Sequence, residues 1–116
     1  MKIHALFSAV ALAVLASPVA AHHGWSAYDA DKPVKVEAAL VEVVYRNPHA
    51  QIDIDYQGKR WDVILAPTRR LESRGLPESA LTVGKKVIVE AYPRRDGTLE
   101  MRAERITVDG KTVELR

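Results

Sequence analysis

Between Pro33 and Arg46 the apolar residues change phase: Val34, Val36 and Leu40 fall on even positions, Val41, Val43 and Tyr45 on odd ones. Side chains alternate across a strand, so the shift predicts a long first strand with a bulge near Ala38–Ala39, or a strand that bends to serve two sheet faces. Asn47-Pro48 ends it, because proline lacks a donor and restricts the residue before it; a reversal there carries His49 to the mouth of a barrel. The next run alternates cleanly, with Ile52, Ile54 and Tyr56 on one face and Gln51, Asp53 and Asp55 on the other. A two-residue turn at Gln57-Gly58 pairs Ile54 with Trp61 and Asp55 with Arg60, which makes Trp61 a core residue.

After Leu65 the period of two is lost. Pro67 suits the first position of a short helix with Leu71 facing inward, Gly75 a left-handed cap and Leu76 the residue that packs back over the last turn. Pro77 opens a second turn, and Gly84 returns the chain to a strand, Lys85 to Tyr92. At Arg95-Asp96-Gly97, parity favours a three-residue loop that pairs Pro93 with Leu99, Ala91 with Met101 and Val89 with Ala103. Asp109-Gly110 is a two-residue turn that sets Ile106 beside Val113 and Arg105 beside Glu114. The fold class is mainly β: a small OB-fold-like barrel of five to six strands with one short helix between strands three and four. No internal repeat is visible.

Residues 1–21 have the form of a signal peptide: Lys2 as the charged start, an apolar Ala5–Leu15 run broken by Ser8, and a small-residue Ala16–Ala21 segment. A spanning helix needs about 20 apolar residues, so membrane insertion after processing is not expected. Cleavage after Ala21 places Val19 and Ala21 at the recognised small positions, leaving residues 22–32 as an amino-terminal arm and 33–116 as the barrel domain. The expected location is periplasmic or secreted. Without Lys2, 16 basic groups face 15 acidic ones, a balance that disfavours nucleic acid as a partner. No cysteine is present for a disulfide framework or a lipid anchor.

The candidate chemistry concentrates in HHGWSAYD, His22 to Asp29. A mature chain beginning at His22 would offer copper its α-amine and Nδ1 in a six-membered chelate ring, with His49 as the imidazole across from them. The amine pKa, about 7.7–8.0, makes that deprotonation easy near neutral pH. His23 points away from the His22 ring in an extended arm; cleavage one residue earlier would instead create an Ala21-His22-His23 square-planar site. The alternative is a frayed tail with incidental histidines. Trp25 and Tyr28 either clamp a flat ligand or pin the arm to the barrel, and pinning is favoured by burial. Met101 as an axial ligand and Asp29 or Asp31 as oxygen ligands are secondary to core and turn roles.

Arg69, Arg70, Arg74, Arg94 and Arg95 outline a conceivable anion or acidic-partner patch, though acidic residues interleave with them. Ser26 has no definable base, and Asp53 and Asp55 read as surface charges, so no enzyme is expected. HHGWSAYD behind the signal segment, with RNPH, GKRWDV, LAP, RLESRGL, YPRRDG, EMRAERITVDGK and VELR, resembles the secreted bacterial family called domain of unknown function 6152. That resemblance covers nearly the whole mature chain and implies a compact secreted domain without an assigned activity. The reading from sequence is a secreted binding module with copper capacity at His22, His23 and His49, against a structural or protein-interaction barrel of the envelope.

Overall fold

The computed structural model describes residues 24–116. Its strands are β1 (Val34–Ala39), β2 (Glu42–Val44), β3 (Gln51–Tyr56), β4 (Lys59–Ile64), β5 (Lys86–Pro93), β6 (Glu100–Val108) and β7 (Lys111–Glu114), with a helix α1 (Thr68–Ser73) between β4 and β5. They form one curled sheet in the order β1-β5-β6-β4-β3-β2, with β7 added beside β6. All pairings are antiparallel except β4 with β6, which is parallel.

β1 and β2 are the two halves of the predicted bent strand, lying at opposite ends of that order. The bend falls at Leu40–Val41, two residues beyond the predicted Ala38–Ala39. There the Leu40 N–H donates to Lys85 O at 2.9 Å and the Val41 N–H to Asp53 O at 2.9 Å, so neighbouring residues bond to segments at the two sides of the sheet. The bent strand thereby links the two ends of the sheet order and curls the sheet into a half-barrel. Counting β1 and β2 as one strand gives six, in the expected OB-like order with the helix after the third; the bend makes the count of separate strands seven.

Both two-residue turns form as expected. Gln57 and Gly58 have φ of 53° and 75°, Asp109 and Gly110 of 51° and 77°, the left-handed pair that matches the twist of a hairpin. Ile54 pairs with Trp61, Asp55 with Arg60, and Ile106 with Val113. The hairpin between β5 and β6 departs from expectation: Pro93 lies opposite Met101 and Ala91 opposite Ala103, two residues beyond the predicted partners. The Asp96 carboxylate accepts the Thr98 N–H at 2.9 Å and holds a wider loop. A shift of two preserves side-chain parity, so the parity argument is blind to it. The register then slips between Glu90 and Ala91, and Glu104 becomes the extra residue of a bulge, its carbonyl accepting the Leu115 N–H at 2.8 Å.

The inward row Ile52, Ile54, Val63, Val89, Met101 and Ile106 is fully buried, and α1 adds Leu71 to the same core. Met101 is therefore a core residue. Pro67 sits at the cap of α1 and not at its first helical position, while Gly75, at φ 85°, ends the helix and the Leu76 N–H reaches back to Leu71 O at 2.8 Å. Trp61 is half-buried against Tyr56 at a ring separation of 6.1 Å, on the margin of the core. Among the described residues no helix is long and apolar enough to cross a membrane.

Leu40 fills the core at the point where the strand bends. Leu40→Ala is expected to lower unfolding free energy by about 3 kcal/mol in urea titration, the range for removing a buried leucine.

Candidate functional site

The outer face of the sheet carries two parallel rows of side chains set by strand register. One runs Glu42, Asp53, Asp62, Glu100 across β2, β3, β4 and β6. The next runs Val44, Gln51, Ile64, Arg102 and continues to Tyr92 on β5. Directly opposed residues in such rows stand about 4.5–5.5 Å apart, so the first row is a ladder of carboxylates.

Asp53 is buried and accepts Gln51 Nε2 at 3.1 Å, which corrects its reading as a surface charge. Burial, then a hydrogen bond to Asp53 and the charges of Asp53, Glu100 and Glu42, push the Asp62 carboxyl up to about 6. Asp55, by contrast, is exposed and pairs with Arg60 at 2.7 Å, as expected. Among the described residues, no group of three or more His, Asp or Glu side chains is placed to hold a metal ion.

The amino arm lies across the second row. Trp25–Ala27 forms a 3₁₀ turn, and Tyr28 makes an antiparallel bridge to Arg94. The Asp29 N–H donates to Pro93 O at 2.8 Å, and Arg95 donates its N–H to Ala27 O at 3.0 Å and its Nε to Ser26 O at 3.2 Å. Trp25 has the guanidinium carbons of Arg102 and Arg116 each 4.6 Å from its ring and meets Tyr28 and Tyr92 edge-on. Such cation–π contacts contribute about 0.5–2 kcal/mol each.

Tyr28 is buried, and its hydroxyl donates to Glu100 Oε2 at 2.8 Å, an oxygen that also accepts Arg94 at 3.2 Å. Burial first, then that hydrogen bond and the Glu100 charge, push the phenol above its ordinary pKa, so it stays a donor. Pinning of the arm by Trp25 and Tyr28 is thus the observed arrangement. Asp29 accepts the Asp31 N–H at 3.0 Å and lies 3.7 Å from Arg95, a turn role for both acids.

Beneath the arm's edge opens a cavity of about 340 Å³. Its floor is Val44, Gln51, Ile64 and Arg102; one wall is Tyr28, Arg94 and Glu100; the other is the loop Arg46, Asn47, Pro48 and His49. The Asn47-Pro48 bond is cis, and Asn47 Oδ1 accepts the Thr68 N–H at 3.2 Å, tying that loop to the start of α1. His49 and the arm's Tyr28 therefore line one cavity, which lies on the outer face of the sheet. His22 and His23 lie outside the described residues.

The predicted arginine patch separates into structural parts. Arg70 and Arg74 donate to the Leu115 and Glu114 carbonyls at 3.0 and 2.6 Å and hold the carboxyl-terminal segment, while Arg94 and Arg95 hold the arm. Sequence reasoning missed Arg46, Arg102 and Glu100 as cavity residues. RNPH carried the signal for the first; the others depend on β4–β6 pairing.

Because Asp62 titrates above the ordinary aspartate value of about 3.9, the folded protein holds a proton that the unfolded chain has released. Stability therefore falls as pH rises from about 4 through about 6 and levels off above it. Asp62→Asn should remove this slope and raise stability at pH 7 by about 1–2 kcal/mol, below the full linkage value because the side chain is only half-buried. Urea denaturation of both forms across pH 4–8 measures it.

The family model described as Family of unknown function (DUF6152) matches residues 9–102, which leaves the ITVDGK and VELR segments beyond the matched range. No curated protein matches the chain. With the match spanning most of the arm-and-barrel unit, the chain belongs to the family of unknown function DUF6152.

Proposed function

We propose that this protein is a secreted, non-enzymatic binding module, exported to the periplasm or beyond by cleavage after Ala21, that binds copper through its processed amino terminus and His49. The observation that carries the reading is the shared cavity: His49 and the docked arm line the same opening. His22 stands three residues ahead of Trp25, a span of about 10 Å in extended chain. Trp25 lies against Arg102, itself part of the cavity floor. That reach supports a chelate made by the His22 amine and ring with His49 opposite, a donor set suited to copper.

Binding is favoured over catalysis by the state of the cavity's carboxylate. Glu100 accepts both the Tyr28 hydroxyl and Arg94, which makes it an anchor for the arm and a poor general base.

Intact mass of the naturally processed protein should correspond to a chain beginning at His22. Copper(II) titration followed by electron paramagnetic resonance should give one-to-one binding that is lost when one residue is added ahead of His22. His49→Ala should weaken it at least tenfold and alter the spectrum. Equal binding by the extended variant contradicts the amine chelate, and an unchanged His49→Ala spectrum removes His49 from the site. Absence of binding in the natural form would leave the barrel a structural or protein-interaction unit.

A further inference from the structure

We infer that the outer face of β1, β5, β6 and β7 is a contact surface for a second copy of this chain, packed on it face to face about a two-fold axis parallel to the strands. Register sets four charged side chains in one row across these strands: Lys35 opposite Glu90, Glu90 opposite Arg105, and Arg105 opposite Glu114. Their signs alternate. A copy turned about such an axis presents the same row in reverse, so Lys35 faces the partner's Glu114 and Glu90 faces the partner's Arg105, with each contact made twice.

Pairing within one chain leaves the row incomplete. Arg105 is shared by two carboxylates, Glu90 at 3.5 Å and Glu114 at 2.9 Å. Lys35 makes no ion pair among the described residues, although Glu90 lies directly opposite it. The Glu114 side chain is still 59% exposed beside Arg105 and can take a second cation. The two-fold arrangement supplies one: each copy's spare ammonium meets the other's shared carboxylate, and like charges meet nowhere in the row.

The next row along the strands is Glu37, Ile88, Thr107 and Thr112. The same axis lays Ile88 on the partner's Thr107. That threonine's hydroxyl is engaged with Thr112 at 2.9 Å, which leaves its methyl group for the apolar contact. All eight residues of the two rows are exposed or half-buried, so the face is open to solvent.

Rotation about this axis keeps the two sets of strands aligned, within the roughly 30° that sheet twist imposes on face-to-face packing. Four strands about 4.8 Å apart give a patch that buries on the order of 1,000 Å² in total, the low end for specific interfaces, so the dimer is weak and its register is set by charge. None of the four charged residues lines the cavity beneath the arm, and the surface is therefore independent of the copper reading.

Sedimentation equilibrium of the naturally processed protein after chelator treatment should show a reversible monomer–dimer equilibrium at low ionic strength. It should be at least tenfold weaker in about 1 M salt, where charges are screened beyond about 3 Å. Lys35→Glu and Glu114→Lys each bring like charges face to face across the axis and should each weaken self-association at least tenfold. Their melting temperatures should stay close to that of the unsubstituted protein, because both side chains are exposed. An equimolar mixture of the two variants has opposite signs at every contact of the row and should form a heterodimer as tight as the original dimer. A protein that stays monomeric at millimolar concentration, association insensitive to salt, variants that dimerise like the unsubstituted protein, or a mixture that fails to recover each overturns the proposal. Dimerisation of a protein that takes no copper would refute only the metal reading; copper binding by a strict monomer would refute only this one.

Discussion

The parallel pairing of β4 with β6 is the constraint on which the outer face depends. It sets Asp62 beside Glu100 and Ile64 beside Arg102, so side chains about forty positions apart in the chain become neighbours. Glu100 then lies where the Tyr28 hydroxyl can reach it, and Arg102 lies where Trp25 can cover it. Without that pairing the arm would lose Glu100 and Arg102 from beneath it, and the cavity would lose Arg102 from its floor and Glu100 from one wall.

The arm is held by several modest interactions acting together. Backbone bonds tie Asp29 to Pro93 and Arg95 to Ala27, a hydroxyl–carboxylate bond fixes Tyr28, and two guanidinium groups contact the Trp25 ring. Hydrogen bonds to charged groups contribute about 1.5–3 kcal/mol, so the phenol–Glu100 bond ranks with either cation–π contact. Across the cavity, the loop carrying His49 is fixed separately through Asn47 and Thr68. Two independently anchored walls keep the opening defined, as a preorganised binding site requires.

Local chemistry was legible in the sequence. Alternation from Gln51 to Tyr56 and the Gln57-Gly58 and Asp109-Gly110 turns each have one physical solution, while the phase change before Tyr45 left a bulge and a bend open, and the strand bends. Asn47-Pro48 marked the reversal that carries His49, and the burial preference of large aromatic rings favoured docking of Trp25 and Tyr28 over a ligand clamp. What the alternation did not carry was anything parity leaves unchanged. The two-residue shift opposite Pro93 and the Glu104 bulge preserve an apolar inner face, and a parallel contact between β4 and β6 leaves no turn to read. For that reason Asp53 passed for a surface charge, although the predicted hairpin already set it opposite Asp62. Arg102 drew no reading from the sequence, because its place beneath Trp25 depends on the β4–β6 pairing.

The central claim is that the amino arm is an integral wall of the domain. Native-state hydrogen exchange of the Asp29 and Arg95 amides tests it most directly, because these two donors bond the arm to the end of β5 and to the loop that follows it. The account predicts that both exchange slowly, together with the amides of β5 and β6. Exchange of both at the rate of an unstructured segment, while the strands remain protected, would contradict it.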